Sequence, residues 1–207
     1  MSLCVIYIHG FNSSPKSIKA QQIERYFNEQ NLADLGYQLL VPALDYAPQQ
    51  AMAQLHELIR QVNSETILLI GSSLGGYYSL WLAHQYQQCR AVLVNPAVYP
   101  YRLLADLLGE NENIYSGQKY TLTTEHIAQL LAIDVANFAD VFKNKERLLL
   151  LSQMADETLN YQEAVDKLVG VEQRVTAGGN HSFENFDDVI EDIFLFGLKN
   201  SNSNNKI

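Results

Sequence analysis

Five residues, Gly71-Ser72-Ser73-Leu74-Gly75, stand between a short apolar run, Thr66 to Ile70, and a stretch of helical periodicity that opens at Leu74. A strand that turns into a helix within so few residues brings the two backbones almost into contact, so the positions two before and two after the central residue must be small. Gly71 and Gly75 meet that demand, and Ser73 sits at the apex. The turn therefore calls for a parallel sheet with a helix packed directly behind the strand, and it leaves one hydroxyl exposed above the helix N-terminus. Free N–H groups there favour a developing negative charge.

The rest of the chain repeats the same alternation. Apolar runs rich in aliphatic and β-branched residues recur at Leu3 to Ile8, Gln38 to Val41, Thr66 to Ile70, Ala91 to Val94, Leu148 to Leu151 and Val171 to Thr176. Between them, helical periodicity covers Ser17 to Gln30, Gln49 to Val62, Leu74 to Gln88, Tyr161 to Val169 and Phe186 to Leu198. Strands apolar on both faces and separated by helices predict an α/β fold: a mostly parallel sheet of about six strands with helices on both faces. The rhythm breaks after the fourth strand, where about fifty residues precede the next, too many for a plain crossover. That segment, about 97–146, reads as an insertion over the sheet's edge that could serve as a lid. It has weak helical patterns at Arg102 to Leu108 and Thr124 to Phe142 around the polar, tyrosine-bearing stretch Gly109 to Tyr120. Residues 1–199 form one expected domain, and the Asn- and Ser-rich tail, 200–207, has nothing to bury and is expected to be disordered.

Composition narrows the function classes. With 14 Lys and Arg against 23 Asp and Glu, the net charge of −9 offers no footprint for a phosphate backbone, so nucleic acid is not expected as a partner. Cys4 and Cys89 could form at most one bridge and have no neighbour at metal-ligand spacing, which suits a reducing compartment. The first apolar run is too short to span a membrane and follows no basic residue, so the expectation is a soluble, cytoplasmic protein. H-E-x-x-H, paired C-x-x-C, G-x-G-x-x-G and G-x-x-x-x-G-K patterns do not occur, and neither a metal nor a cofactor is expected. Most of the twelve tyrosines are expected to pack at the edge of the core, although Tyr77, Tyr78, Tyr99 and Tyr101 could line a pocket.

A serine hydroxyl attacks an acyl carbonyl only when a base takes its proton. Where a G-x-S-x-G elbow carries that serine, the order along the chain is Ser, acid, His, which sets aside His9 and His56. His84 lies about three turns into the helix that starts at Leu74, and His126 falls in the insertion. His181 remains, in Ala177-Gly178-Gly179-Asn180-His181 after the last strand, at the rim where the carboxyl ends of parallel strands gather. The acid that orients it is expected to be Asp156, in Ser152-Gln153-Met154-Ala155-Asp156-Glu157 after the fifth strand. Its neighbour Glu157 would point elsewhere, and Asp140 and Asp166 fall in the insertion and a helix. Oxyanion donors are expected from the backbone N–H of Leu74 and from the loop after the first strand, with Phe11 ahead of Asn12.

Beyond this triad the chain resembles the YqiA-like family of small bacterial α/β-hydrolase esterases. The likeness covers nearly the whole sequence. It rests on His9-Gly10-Phe11-Asn12-Ser13-Ser14-Pro15, on Gly71-Ser72-Ser73-Leu74-Gly75-Gly76-Tyr77-Tyr78 and on Val94-Asn95-Pro96-Ala97. It continues in Leu108-Gly109-Glu110-Asn111, in Asp156-Glu157 with Tyr161, and in Gly178-Gly179-Asn180-His181 with Phe183. The resemblance implies an α/β-hydrolase fold and a serine esterase that hydrolyses carboxylic acyl esters or acyl thioesters through Ser73, Asp156 and His181. An acyltransferase, or a scaffold that binds acyl groups without turnover, is the competing reading. One departure stands out: Ala155 occupies a place where the family would carry Gly, which would cost about 1 kcal/mol of strain if the backbone there were left-handed.

Overall fold

A computed structural model describes residues 2–199, and the tail at 200–207 lies outside the described residues. The elements follow one another as β1 (Leu3–Ile8), α1 (Ile18–Glu29), a 3₁₀ turn (Leu32–Leu35), β2 (Gln38–Leu40), α2 (Pro48–Gln61), β3 (Thr66–Ser72), α3 (Leu74–Gln85) and β4 (Cys89–Val94). The insertion then supplies α4 (Pro100–Ala105), β5 (Gly109–Glu112), β6 (Lys119–Leu122), α5 (Thr124–Ala132), α6 (Phe138–Val141) and a 3₁₀ turn (Lys145–Arg147). The chain closes with β7 (Leu148–Gln153), α7 (Tyr161–Lys167), β8 (Glu172–Thr176) and α8 (Asp187–Leu198).

Six strands form one sheet in the order β2-β1-β3-β4-β7-β8, every pair parallel. All residues of β1, β4 and β7 are buried, whereas the edge strands β2 and β8 are only partly so. The period-2 alternation of a strand divides each central strand between two cores. Cys4, Ile6 and Ile8 of β1 join Ile67 and Leu69 of β3 against α2 and α3. Val5 and Tyr7 join Leu68 and Ile70 against Ile23 of α1 and Ile190 of α8. This two-sided burial is why the strands read as continuous apolar runs. Cys4 and Cys89 are free thiols within it, and burial pushes them up to about 11 and about 12.

The insertion belongs to the first of these cores, through Leu104, Leu122, Leu130 and Phe138. Two features differ from the sequence expectation. The polar stretch after α4 is an antiparallel hairpin, with Gly109 opposite Leu122 and Glu112 opposite Lys119. Only Tyr120 and Leu122 of β6 are buried, too short an alternation to be visible as a strand. The helical pattern from Thr124 to Phe142 also breaks, because Asn137 adopts φ +51° and Asp134 leaves the helix. Asp134 takes an ion pair with Lys167 of α7 and a hydrogen bond from the Tyr101 hydroxyl. The hydroxyl of buried Tyr77 donates to the Leu130 carbonyl at 2.7 Å, so Tyr77 of α3 and Lys167 of α7 fasten the insertion to the rest of the fold, while the Tyr101–Asp134 bond ties two of its own segments together.

The elbow has the geometry that its glycines require. Ser73 holds φ +55° and ψ −119°, a strained conformation for a residue with a side chain. Its N–H donates to the Val94 carbonyl, and its own carbonyl accepts from Gly76 and Ala97, so β4 fixes the turn from the side. A Cβ on Gly71 would lie 2.3 Å from the Gly75 carbonyl oxygen, and one on Gly75 would lie 1.9 Å from that of Ile8. Both obstacles are backbone and neither can rotate away. Gly75→Ala is therefore expected to lower unfolding free energy by about 3 kcal/mol or more, or to prevent folding. Urea unfolding followed by circular dichroism checks this, and a loss under about 1 kcal/mol would show that the contact can relax.

Candidate active site

His181 and Asp156 come together at the carboxyl rim of the sheet, with His181 Nδ1 2.8 Å from Asp156 Oδ2. The Asp156 side chain is 2% exposed, while the imidazole is 25% exposed. The other carboxylate oxygen, Oδ1, accepts the N–H groups of Thr158 and Leu159 at 2.9 and 2.8 Å. Burial pushes the Asp156 carboxyl up, but the bonds from His181, Leu159 and Thr158 outweigh it and hold the group below its ordinary value. An ionised Asp156 makes Nδ1 the proton-bearing nitrogen, which leaves Nε2 able to accept. Glu157 also reaches His181, but at the backbone: its Oε2 accepts the His181 N–H at 2.9 Å.

Two buried amide side chains hold the His181 loop, and sequence reasoning gave neither of them a role. Asn95, at φ +40° after β4, donates from Nδ2 to the carbonyls of Asn180 and His181 at 2.9 and 3.2 Å, and its Oδ1 accepts the Gln153 N–H. Gln153 Oε1 accepts from the N–H groups of Asn180 and Glu184, while its Nε2 donates to the Glu184 carbonyl. Gly179 leaves room for this, since a Cβ there would lie 2.1 Å from Gln153 Oε1. Asn95 stands in the Val94-Asn95-Pro96-Ala97 match, which pointed to no role for it, and Gln153 had no such signal. Lys19 adds a bond from Nζ to the Ser182 carbonyl at 2.9 Å, and burial pulls its ammonium down to about 8 against the attraction of Asp156.

Ser73 and His181 line one cleft of about 400 Å³, together with Gly10, Asn12, Lys19 and Tyr115. The hydroxyl and the ring are not hydrogen-bonded to each other among the described residues. Such bonds often tighten only when substrate fills the site. Beside the cleft lies a pocket of about 30 Å³, enough for a water or a single oxygen substituent, lined by Phe11, Leu74, Tyr78 and Tyr120 among others. Among the described residues no protein acceptor takes the N–H of Phe11 or Leu74.

The other histidines are engaged elsewhere. His9 is buried, with Nδ1 donating to the Gly10 carbonyl and Nε2 accepting from the Leu44 N–H, and burial pulls its pKa down against the pull of the Gly10 bond. His56 bonds to the Tyr86 hydroxyl, His84 lies against Trp81 and Phe142, and His126 caps α5. Ala155 is not among the residues with positive φ, so the strain feared there does not arise. Among the described residues no group of three His, Cys, Asp or Glu could hold a metal ion, and no helix is long and apolar enough to cross a membrane.

Known proteins share this fold. A putative hydrolase from Agrobacterium vitis S4 superposes with a TM-score of 0.72 at 21% identity, covering 94% of this chain and 88% of its own. Est1E from Butyrivibrio proteoclasticus, with ferulic acid bound, gives 0.71 at 16% identity, covering 95% and 88%. The fold is that of the α/β hydrolases. The UPF0227 protein YcfP of Escherichia coli O9:H4 is 23% identical over 193 residues, 93% of this chain and 97% of its own. The family model described as "Uncharacterised protein family (UPF0227)" matches residues 4–197, and the chain belongs to that family, in keeping with the YqiA-like resemblance of its motifs.

Proposed function

We propose that the chain is a serine esterase acting on carboxylic acyl esters or acyl thioesters, with Ser73 as nucleophile, His181 as base and Asp156 as the group that orients the base. The observation that carries this reading is the bond between Asp156 and His181, whose ring lines the same cleft as a serine on a strained strand-to-helix turn. A protein that only bound acyl groups would have no use for a buried carboxylate aimed at an imidazole.

The chemistry follows from these positions. Nε2 of His181 takes the Ser73 proton as Oγ attacks the acyl carbonyl, and Asp156 stabilises the imidazolium. The carbonyl oxygen, now an oxyanion, accepts from the N–H groups of Leu74 and Phe11 in the small pocket between them. Collapse expels the alcohol or thiol, which receives the proton from His181. Water then attacks the acyl-enzyme with His181 again as base, releasing the acid and free Ser73. The tip of the hairpin, Ile114 and Tyr115, lines the open side of the cleft, where it would meet the substrate.

Ser73→Ala is expected to keep the fold and to lower kcat on p-nitrophenyl esters by on the order of 10⁴-fold or more. Asp156→Asn should lose a comparable share, since an amide can hold the ring in the wrong tautomer, whereas Glu157→Gln keeps an acceptor for the His181 N–H and should stay within about threefold. Wild-type rates in Ser73→Ala, or the reverse order of the two carboxylate variants, would overturn the assignment. The pH profile carries a sign as well. Asp156 is held below its ordinary value and so stays ionised, and the acid-side fall in kcat/KM should therefore reflect protonation of the base and not of Asp156. A flat profile between about pH 5 and 8 would exclude His181 as the base.

A further inference from the structure

The loop after β1, which supplies Phe11, has no regular structure, and two groups hold it. On one side His9 bonds to Gly10 and Leu44. On the other the insertion's hairpin reaches it twice: the Tyr120 hydroxyl donates to Asn12 Oδ1, and Asn113 Nδ2 donates to the Ser13 carbonyl at 3.0 Å. The Tyr120 ring also meets the Phe11 ring edge-on, with centroids 6.3 Å apart, and stacks on Tyr46 at 4.3 Å. One buried side chain thus touches both residues of the loop that could offer an oxyanion donor, and it lines the same small pocket as Phe11 and Leu74.

We propose that Tyr120 is a positioning residue for the oxyanion: its hydroxyl fixes Asn12 and its ring fixes Phe11, so that the Phe11 N–H is aimed before substrate arrives. The proposal rests on the esterase reading given above. It also assigns the insertion a role beyond covering the cleft, since the hairpin becomes part of the support of the oxyanion pocket. A phenylalanine would serve the packing alone. The hydroxyl needs an acceptor once buried, and the acceptor it has is a residue at φ +50° in this loop. Burial pushes the phenol up to about 12 against the pull of the Asn12 bond, so it remains a neutral donor across the working range of an esterase.

Tyr120→Phe removes the hydroxyl and keeps the ring. The probes are an ester substrate and phenylboronic acid, whose boron adds to Ser73 Oγ to give a tetrahedral anion with an oxygen at the oxyanion position. With Tyr120→Phe we expect kcat to fall about tenfold with KM little changed, and the boronic acid Ki to rise by a similar factor. Tyr46→Phe, which keeps the stacked ring, should change neither. Asn12→Gly removes the acceptor at a backbone angle that glycine adopts freely. It should give the same pattern, and the double variant should lose no more than either single one. A lowered melting temperature with unchanged kcat and unchanged boronic acid affinity in both single variants would overturn the proposal and leave Tyr120 a packing residue. If the boronic acid fails to inhibit the wild type, or binds Ser73→Ala equally well, the esterase reading falls and this proposal falls with it.

Discussion

Because no side chain fits between Gly75 and the carbonyl of Ile8, the first turn of α3 lies directly on the end of β1. That contact governs what stands around it. It holds Ser73 at positive φ, brings the start of α3 beside the loop that leaves β1, and leaves Leu74 and Phe11 lining one small pocket. The strain at Ser73 is of the kind that costs on the order of 1–3 kcal/mol and persists only where its surroundings over-determine the backbone. Here they do, since β4 accepts the Ser73 N–H and Ala97 donates to the Ser73 carbonyl.

The second half of the site depends on a different kind of force. Asp156 and His181 stand on loops, and loops are positioned only by the bonds that tie them to the frame. Asn95 and Gln153, both buried at the ends of adjacent strands, provide those bonds from side-chain amides to the backbone of residues 180 to 184. Leaving such amides unpaired would cost about 1–3 kcal/mol each, so the network is stable only when the His181 loop closes on it. The same logic applies to the hairpin, where Tyr120 and Asn113 tie the loop after β1 to a segment far away in sequence.

The six strands and the main helices were legible because burial on both faces writes continuous apolar runs, and because Gly71 and Gly75 punctuate the turn between β3 and α3. Chain order and placement at the carboxyl rim together singled out His181 and Asp156 from five histidines and many carboxylates, and the fold brings these two within 2.8 Å of each other. The hairpin was not legible: β5 reads Gly-Glu-Asn-Glu and only alternate residues of β6 face the core, so the ribbon owes its order to the loops it touches. The break between α5 and α6 was hidden for a related reason: Asp134, where the chain leaves the helix, pairs with Lys167, 33 residues along the chain. Asn95 and Gln153 act through partners distant in sequence, and no local pattern announces them.

On the proposed reading His181, oriented by Asp156, makes one serine nucleophilic, the Ser73 that the strained turn presents to the cleft. Treating the folded protein with a fluorophosphonate and mapping the adduct by peptide mass spectrometry tests it without knowledge of the natural substrate. A single adduct on Ser73, abolished by prior unfolding and strongly slowed in Asp156→Asn, is the predicted result. No adduct, or an adduct on Ser72 or another serine with Ser73 unmodified, would contradict the account.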